Sequence, residues 1–150
     1  DDPQFQPGFE DADTSVVAAV PIYGRYDWGS ARGSGRKEFI AFLQKFVTKK
    51  PIVQHHQLYV DASPLYRVRA DAPPFFILHG RDDSIIPVQE GREFADALRE
   101  VSTAPVVYAE IPHAQHAFDF YYGSPRAHYT AQAVEEFLSW VAATARRRAD

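Results

Sequence analysis

The chain has 150 residues, the size of one ordinary domain, and 45% of them are hydrophobic, which allows a buried core and excludes a wholly disordered chain. A formal charge of −4, with Arg146, Arg147 and Arg148 confined to the end of the chain, argues against nucleic acid as a partner. Cysteine is absent, so disulfides, cysteine-ligated zinc and thiol catalysis are excluded, and no apolar run approaches the ~20 residues that cross a bilayer.

Asp1 to Glu10 reads as the middle of a loop, and there is no methionine. The expectation is a chain that begins inside a larger protein, with any address signal upstream; the cytoplasm is the favoured location. Val16 to Ile22 is almost entirely apolar and partly β-branched, as in a strand buried on both faces of a parallel sheet. Tyr23 to Gly29 is an aromatic loop, and Ser30 to Arg36 a Gly/Ser-rich one. The spacing of Phe39, Phe42, Leu43, Phe46 and Val47 predicts a helix over 38–49, closed by Pro51. That apolar stripe is expected to pack in the core, with a partly exposed pocket lid as the second reading. A looser segment containing His55 and His56 leads to Asp71.

Pro74 to Gly80 is the second buried strand. A loop over 81–87 follows, then a helix over Val88 to Val101 with Phe94, Ala97, Leu98 and Val101 on one face. Pro105 to Ile111 is the third strand, His113 to Pro125 a loop rich in histidine and aromatics, and Arg126 to Arg147 a long helix with Val134, Phe137, Leu138 and Val141 as its stripe. Alternation of this kind predicts an α/β fold of about three parallel strands with flanking helices.

Loops that leave the carboxyl ends of parallel strands form the ligand crevice of an open sheet. Two such loops carry the reactive side chains. One holds Asp82 and Asp83, the other His113 and His116. A carboxylate from the first can reach an imidazole from the second, fix its tautomer and stabilise its protonated form. The acid comes first and the histidine about 33 residues later, the order seen when one βαβ step separates them. His113-x-x-His116 with His79 suggests a metal site, but zinc needs three or four converging ligands and no further motif completes one; no metal and no cofactor are expected.

His79-Gly80-Arg81-Asp82-Asp83-Ser84-Ile85-Ile86-Pro87 resembles the acid loop of α/β-hydrolases, and Pro112 to Asp119 resembles their histidine loop. The similarity also takes in Val16 to Asp27 and Asp61 to Leu65, and is closest to the hormone-sensitive-lipase-like esterases. It implies Asp83 rather than Asp82 as the acid of a Ser-His-Asp triad, and His116 rather than His113 as the base. Trp28, Ile86 and Phe118 are the candidate walls of an apolar substrate pocket, with Phe120, Tyr121 and Tyr122 nearby.

The sequence departs from that family in having neither Gly-x-Ser-x-Gly nor an oxyanion-hole His-Gly-Gly stretch. Residues 1–150 are therefore expected to be the C-terminal portion of one catalytic domain, inactive alone. The parent is expected to cleave a small apolar ester, and a peptidase or dienelactone-type hydrolase has the same fold. A non-catalytic binding module is the reading from a different class. The expected macromolecular partner is the N-terminal complement, or a second copy meeting an exposed sheet edge.

Overall fold

The computed structural model describes residues 6–121 and 123–149; Tyr122 and Asp1 to Phe5 lie outside them. Its elements are α1 (Lys37–Phe42), which runs on into a π-helical turn (Leu43–Val47), α2 (His56–Asp61), β1 (Phe75–Gly80), α3 (Val88–Val101), β2 (Val106–Ile111) and α4 (Pro125–Ala149). Among the described residues no helix is long and apolar enough to cross a membrane.

β1 and β2 pair in parallel from Phe75–Val106 to Gly80–Ile111. Side chains alternate across a strand, and β1 uses both of its faces. Ile77 packs with Phe94, Ala95 and Leu98 of α3, together with Tyr26 and Leu65. Phe76 and Leu78 pack with Phe137 and Val141 of α4, together with Ala114 and Phe118. Ile77 and Leu78 are almost fully enclosed, and burial of each contributes about 1.5–3 kcal/mol. Helices on both faces explain why this strand reads as a continuous apolar run instead of alternating. α4 begins where Pro125 takes the first helical position and the Ser124 hydroxyl accepts the Ala127 N–H at 3.1 Å, a side-chain cap followed by proline.

The first expected strand, Val16 to Ile22, forms less ladder than its sequence suggested. Val16 and Val17 are 61% and 77% exposed, and the segment touches β1 through isolated parallel bridges, Ala19–Phe75 and Ile22–Leu78. Around the gap the ladder is regular. Ala19 N–H donates to Pro74, Phe76 to Ala19, Leu78 to Pro21, and Tyr23 to Leu78. The missing rung is the one residue 21 would donate to Phe76, and proline has no N–H to give. β1 is thus central, with this segment on one side and β2 on the other.

The helix expected over 38–49 changes register midway. Thr48 N–H donates to Leu43 five residues back, at 2.9 Å, the signature of a π turn. Core packing of its stripe holds for Leu43 alone. Phe42, Phe46 and Val47 are about half exposed, because no element of the described residues lies over that face.

On β2, Glu110 accepts Arg92 Nε at 2.6 Å and Nη2 at 2.8 Å, a forked pair, with further donors from Arg81 and the Tyr108 hydroxyl. The Arg92 contacts hold the Glu110 carboxyl down to about 2. A lowered folded pKa gives stability that is complete above the ordinary carboxylate range and lost as pH falls from about 4.5 to about 2. Arg92 is partly exposed, so screening reduces the contribution to about 1 kcal/mol. Glu110→Gln should therefore lower the urea midpoint at pH 7 and flatten its acid-side decline; an unaltered acid limb would count against the assignment.

Candidate active site

The acid loop folds around its own carboxylate. Asp83 Oδ1 accepts the N–H groups of Ile85 and Ile86, each at 2.8 Å, the side-chain-to-backbone turn for which aspartate is suited. This leaves Oδ2 for the neighbouring loop, and His116 Nδ1 donates to it at 2.8 Å. The Asp83 side chain is fully buried and that of His116 is 27% exposed. With its proton on Nδ1, His116 keeps Nε2 as an unprotonated acceptor, and among the described residues nothing hydrogen-bonds to it. One imidazole nitrogen is thus spent on the acid and the other is free to take a proton.

His79 lies beneath the pair, wholly enclosed. Its Nε2–H donates to the Ile86 carbonyl at 2.9 Å and lies 3.5 Å from Asp83 Oδ2. Burial pushes its pKa down, outweighing the pull of the Ile86 carbonyl and Asp83, so it stays neutral and braces the turn without competing as a cation. Its Nδ1 is buried without a hydrogen-bond partner, and a Cβ on Gly91 would stand 2.9 Å away from it.

Main-chain contacts fix the separation of the two loops. Arg81 N–H donates to Ile111 and Asp82 N–H to Ala114, both at 3.0 Å, and Ser84 N–H donates to the Gln115 side chain at 3.1 Å. Gly80 makes the approach possible, because a Cβ there would lie 2.5 Å from the Ala114 carbonyl oxygen, inside any tolerable contact.

The discarded pair sits apart. His113 Nδ1 and Asp82 Oδ2 are 3.5 Å from each other, with side chains 87% and 48% exposed. Ile86 is buried and serves through its backbone, once to the acid and once to His79. Phe118 is buried in the core cluster with Phe76 and Phe137. Neither offers a ligand much surface. Trp28 is half-buried, its backbone N–H donating to the Ser63 hydroxyl at 2.8 Å, and its ring joins no aromatic contact among the described residues. Phe120 and Tyr121 point to solvent. No group of three acidic, histidine or cysteine side chains among the described residues could hold a metal ion.

Tyr23 was missed by sequence reasoning. Its ring lies 4.4 Å from that of His116 and edge-on to Phe118 at 5.6 Å, and its hydroxyl donates to Asp119 Oδ1 at 3.0 Å. It packs against the imidazole while holding φ at +43°, a region bulky side chains rarely occupy. The available signal was its position, just past the first apolar segment on the sheet edge from which both loops rise.

Parallel strands covered on two faces by helices, with a buried carboxylate and a partly exposed histidine on loops at one sheet edge, define the α/β-hydrolase class of fold. Among solved structures the chain resembles the Est2 esterase of Thermogutta terrifontis with propionate bound, at 22% identity and a TM-score of 0.65, covering 87% of this chain and 45% of that one. It also resembles the acylaminoacyl peptidase of Pyrococcus horikoshii, at 19% identity and a TM-score of 0.69, covering 85% of this chain and 20% of that one. By sequence the chain belongs to the BD-FAE family, whose model matches residues 2–98. Two curated relatives come from Mycobacterium tuberculosis. The probable carboxylic ester hydrolase LipM is 55% identical over 143 residues, which is 95% of this chain and 33% of LipM. The esterase LipC is 45% identical over 141 residues, 93% of this chain and 35% of LipC. The chain thus spans about a third of the length of these relatives.

Proposed function

We propose that this chain provides the acid and base of a carboxylic ester hydrolase, and that it forms the C-terminal portion of one catalytic domain whose preceding part carries a serine nucleophile and the oxyanion donors. The observation that carries this reading is the 2.8 Å bond from His116 Nδ1 to the buried Asp83 carboxylate, which leaves Nε2 open. The esterase names of LipM and LipC support the same reading, and the proposed partner is the N-terminal complement.

In the proposed reaction the serine Oγ bonds to the ester carbonyl carbon while its proton passes to His116 Nε2. Asp83 stabilises the resulting imidazolium across its Nδ1–H bond. Collapse of the tetrahedral species breaks the bond to the alcohol oxygen, which leaves with the proton from Nε2. Water then repeats the sequence, giving the acid and freeing the serine. The substrate proposed is a small ester with an apolar arm.

The test is made on the protein carrying the preceding segment. It should hydrolyse p-nitrophenyl butyrate and be labelled covalently by a fluorophosphonate, whereas residues 1–150 alone should do neither. An intact protein inert in both assays would favour a non-catalytic binding module.

A further inference from the structure

A cleft of about 400 Å³ opens between α1 and the acid loop, lined by Phe39, Phe42 and Ile85, with Arg36, Glu38 and Ser84 completing its wall. We propose that this cleft is the acyl-chain site, in which Phe39, Phe42 and Ile85 hold the alkyl arm of a medium-chain ester whose carbonyl lies beside His116. The inference rests on the hydrolase reading and names its substrate class.

Three observations select this occupant. The first is continuity with the dyad. Ser84 and Ile85 belong to the turn that wraps the Asp83 carboxylate, and Ile85 N–H donates to Asp83 Oδ1. Ser84 N–H donates to the side chain of Gln115, the residue preceding His116. One wall of the cleft is thus built from the backbone that positions acid and base.

The second is the chemistry of the surface. Phe42 is 48% and Ile85 42% exposed, and Ile85 belongs to the turn that wraps the Asp83 carboxylate. Exposed apolar side chains beside reactive polar groups are the arrangement of a ligand cleft, and the volume lies in the range such sites occupy.

The third is shape. Ring centroids run from Phe39 to Phe42 at 5.9 Å and from Phe42 to Phe46 at 5.2 Å, a row that continues from the cleft-lining Phe39 and Phe42 to Phe46. A linear chain lies along such a row better than a compact group does. Phe39 is fixed from behind, since the Arg25 guanidinium sits 5.2 Å from its ring and is anchored in turn by Glu90 at 2.7 Å.

Each methylene buried along the row should raise kcat/KM about fourfold, the ratio equivalent to about 0.8 kcal/mol. The intact protein is assayed with p-nitrophenyl acetate, butyrate, hexanoate and octanoate, and octanoate binding is followed by calorimetry. Phe42→Ala should lower the octanoate-to-acetate ratio of kcat/KM about tenfold and weaken octanoate binding. Ile85→Ala should act in the same direction and guards against a folding defect in the first variant. Turnover whose chain-length slope neither variant alters would overturn the site and leave the hydrolase standing. An equal loss on every ester would also overturn it, as expected if the stripe packs against another part of the protein. A protein without turnover whose octanoate binding still depends on Phe42 would sink the hydrolase reading and keep an alkyl-binding cleft. Neither turnover nor binding would remove both.

Discussion

Replacing His116 with alanine in the intact protein should lower ester turnover by roughly 10⁴–10⁶-fold, because no other base near the carboxylate can stand in. His79 is 3.5 Å from Asp83 but enclosed and turned toward the Ile86 carbonyl. Asp83→Asn should cost about 10⁴-fold by a different route. The amide oxygen would keep the two bonds from Ile85 and Ile86 N–H. Its NH₂ group would then face His116 Nδ1, place the ring proton on Nε2 and leave no base toward the proposed serine. Asp82→Asn is the control and should stay within about twofold, since among the described residues the Asp82 carboxylate meets only the exposed His113. The measurement is kcat/KM for p-nitrophenyl butyrate from pH 5 to 9, with circular dichroism to confirm folding. Near-normal rates for Asp83→Asn would move the acid elsewhere.

The largest effect on stability is expected at Glu90. Its side chain is fully buried, and it bonds Arg25, 6% exposed, at 2.7 Å. Glu90 also accepts the N–H groups of Tyr26 and Asp27, so it ties the loop after the first sheet segment to the first turn of α3. Burial drives its pKa upward, and Arg25 with the two N–H groups only partly offsets this. A raised folded pKa means that the ionised form is the costly one, so its contribution to stability falls as pH rises above the ordinary carboxylate range. Glu90→Leu would leave Arg25 buried and unpaired, which costs about 3–5 kcal/mol. Replacing both partners, Arg25→Met with Glu90→Leu, should recover most of that loss. Urea unfolding of the two variants beside the parent decides it. A single variant as stable as the parent would mean that Arg25 finds water or another partner.

That Asp83 and His116 meet was legible because the determinants are local. An aspartate that folds its own turn, and a histidine one βαβ step later, are visible as short strings. α3 and α4 were legible for the same reason, since their periodicity is written within a few residues, although Pro125, read as the end of the loop, is the first residue of α4. What failed depended on tertiary neighbours. The apolar stripe of Phe42 and Phe46 looks the same whether a partner covers it or not, so its exposure could not be read. Ile86 and Phe118 stand in the right loops, but Ile86 is buried in the turn that wraps Asp83 and Phe118 is packed among Phe76, Leu78 and Phe137. Pro21 was visible from the start, and its missing donor was the clue that the first strand would break into two bridges.

The meeting of Gly80 with the Ala114 carbonyl has a consequence for how this protein can vary. Where two main chains touch without a side chain between them, the carboxylate-to-imidazole spacing is set by peptide geometry. Neighbouring apolar residues can then exchange size and shape through evolution while the proton path keeps its length, provided that this one hydrogen-only position is left alone.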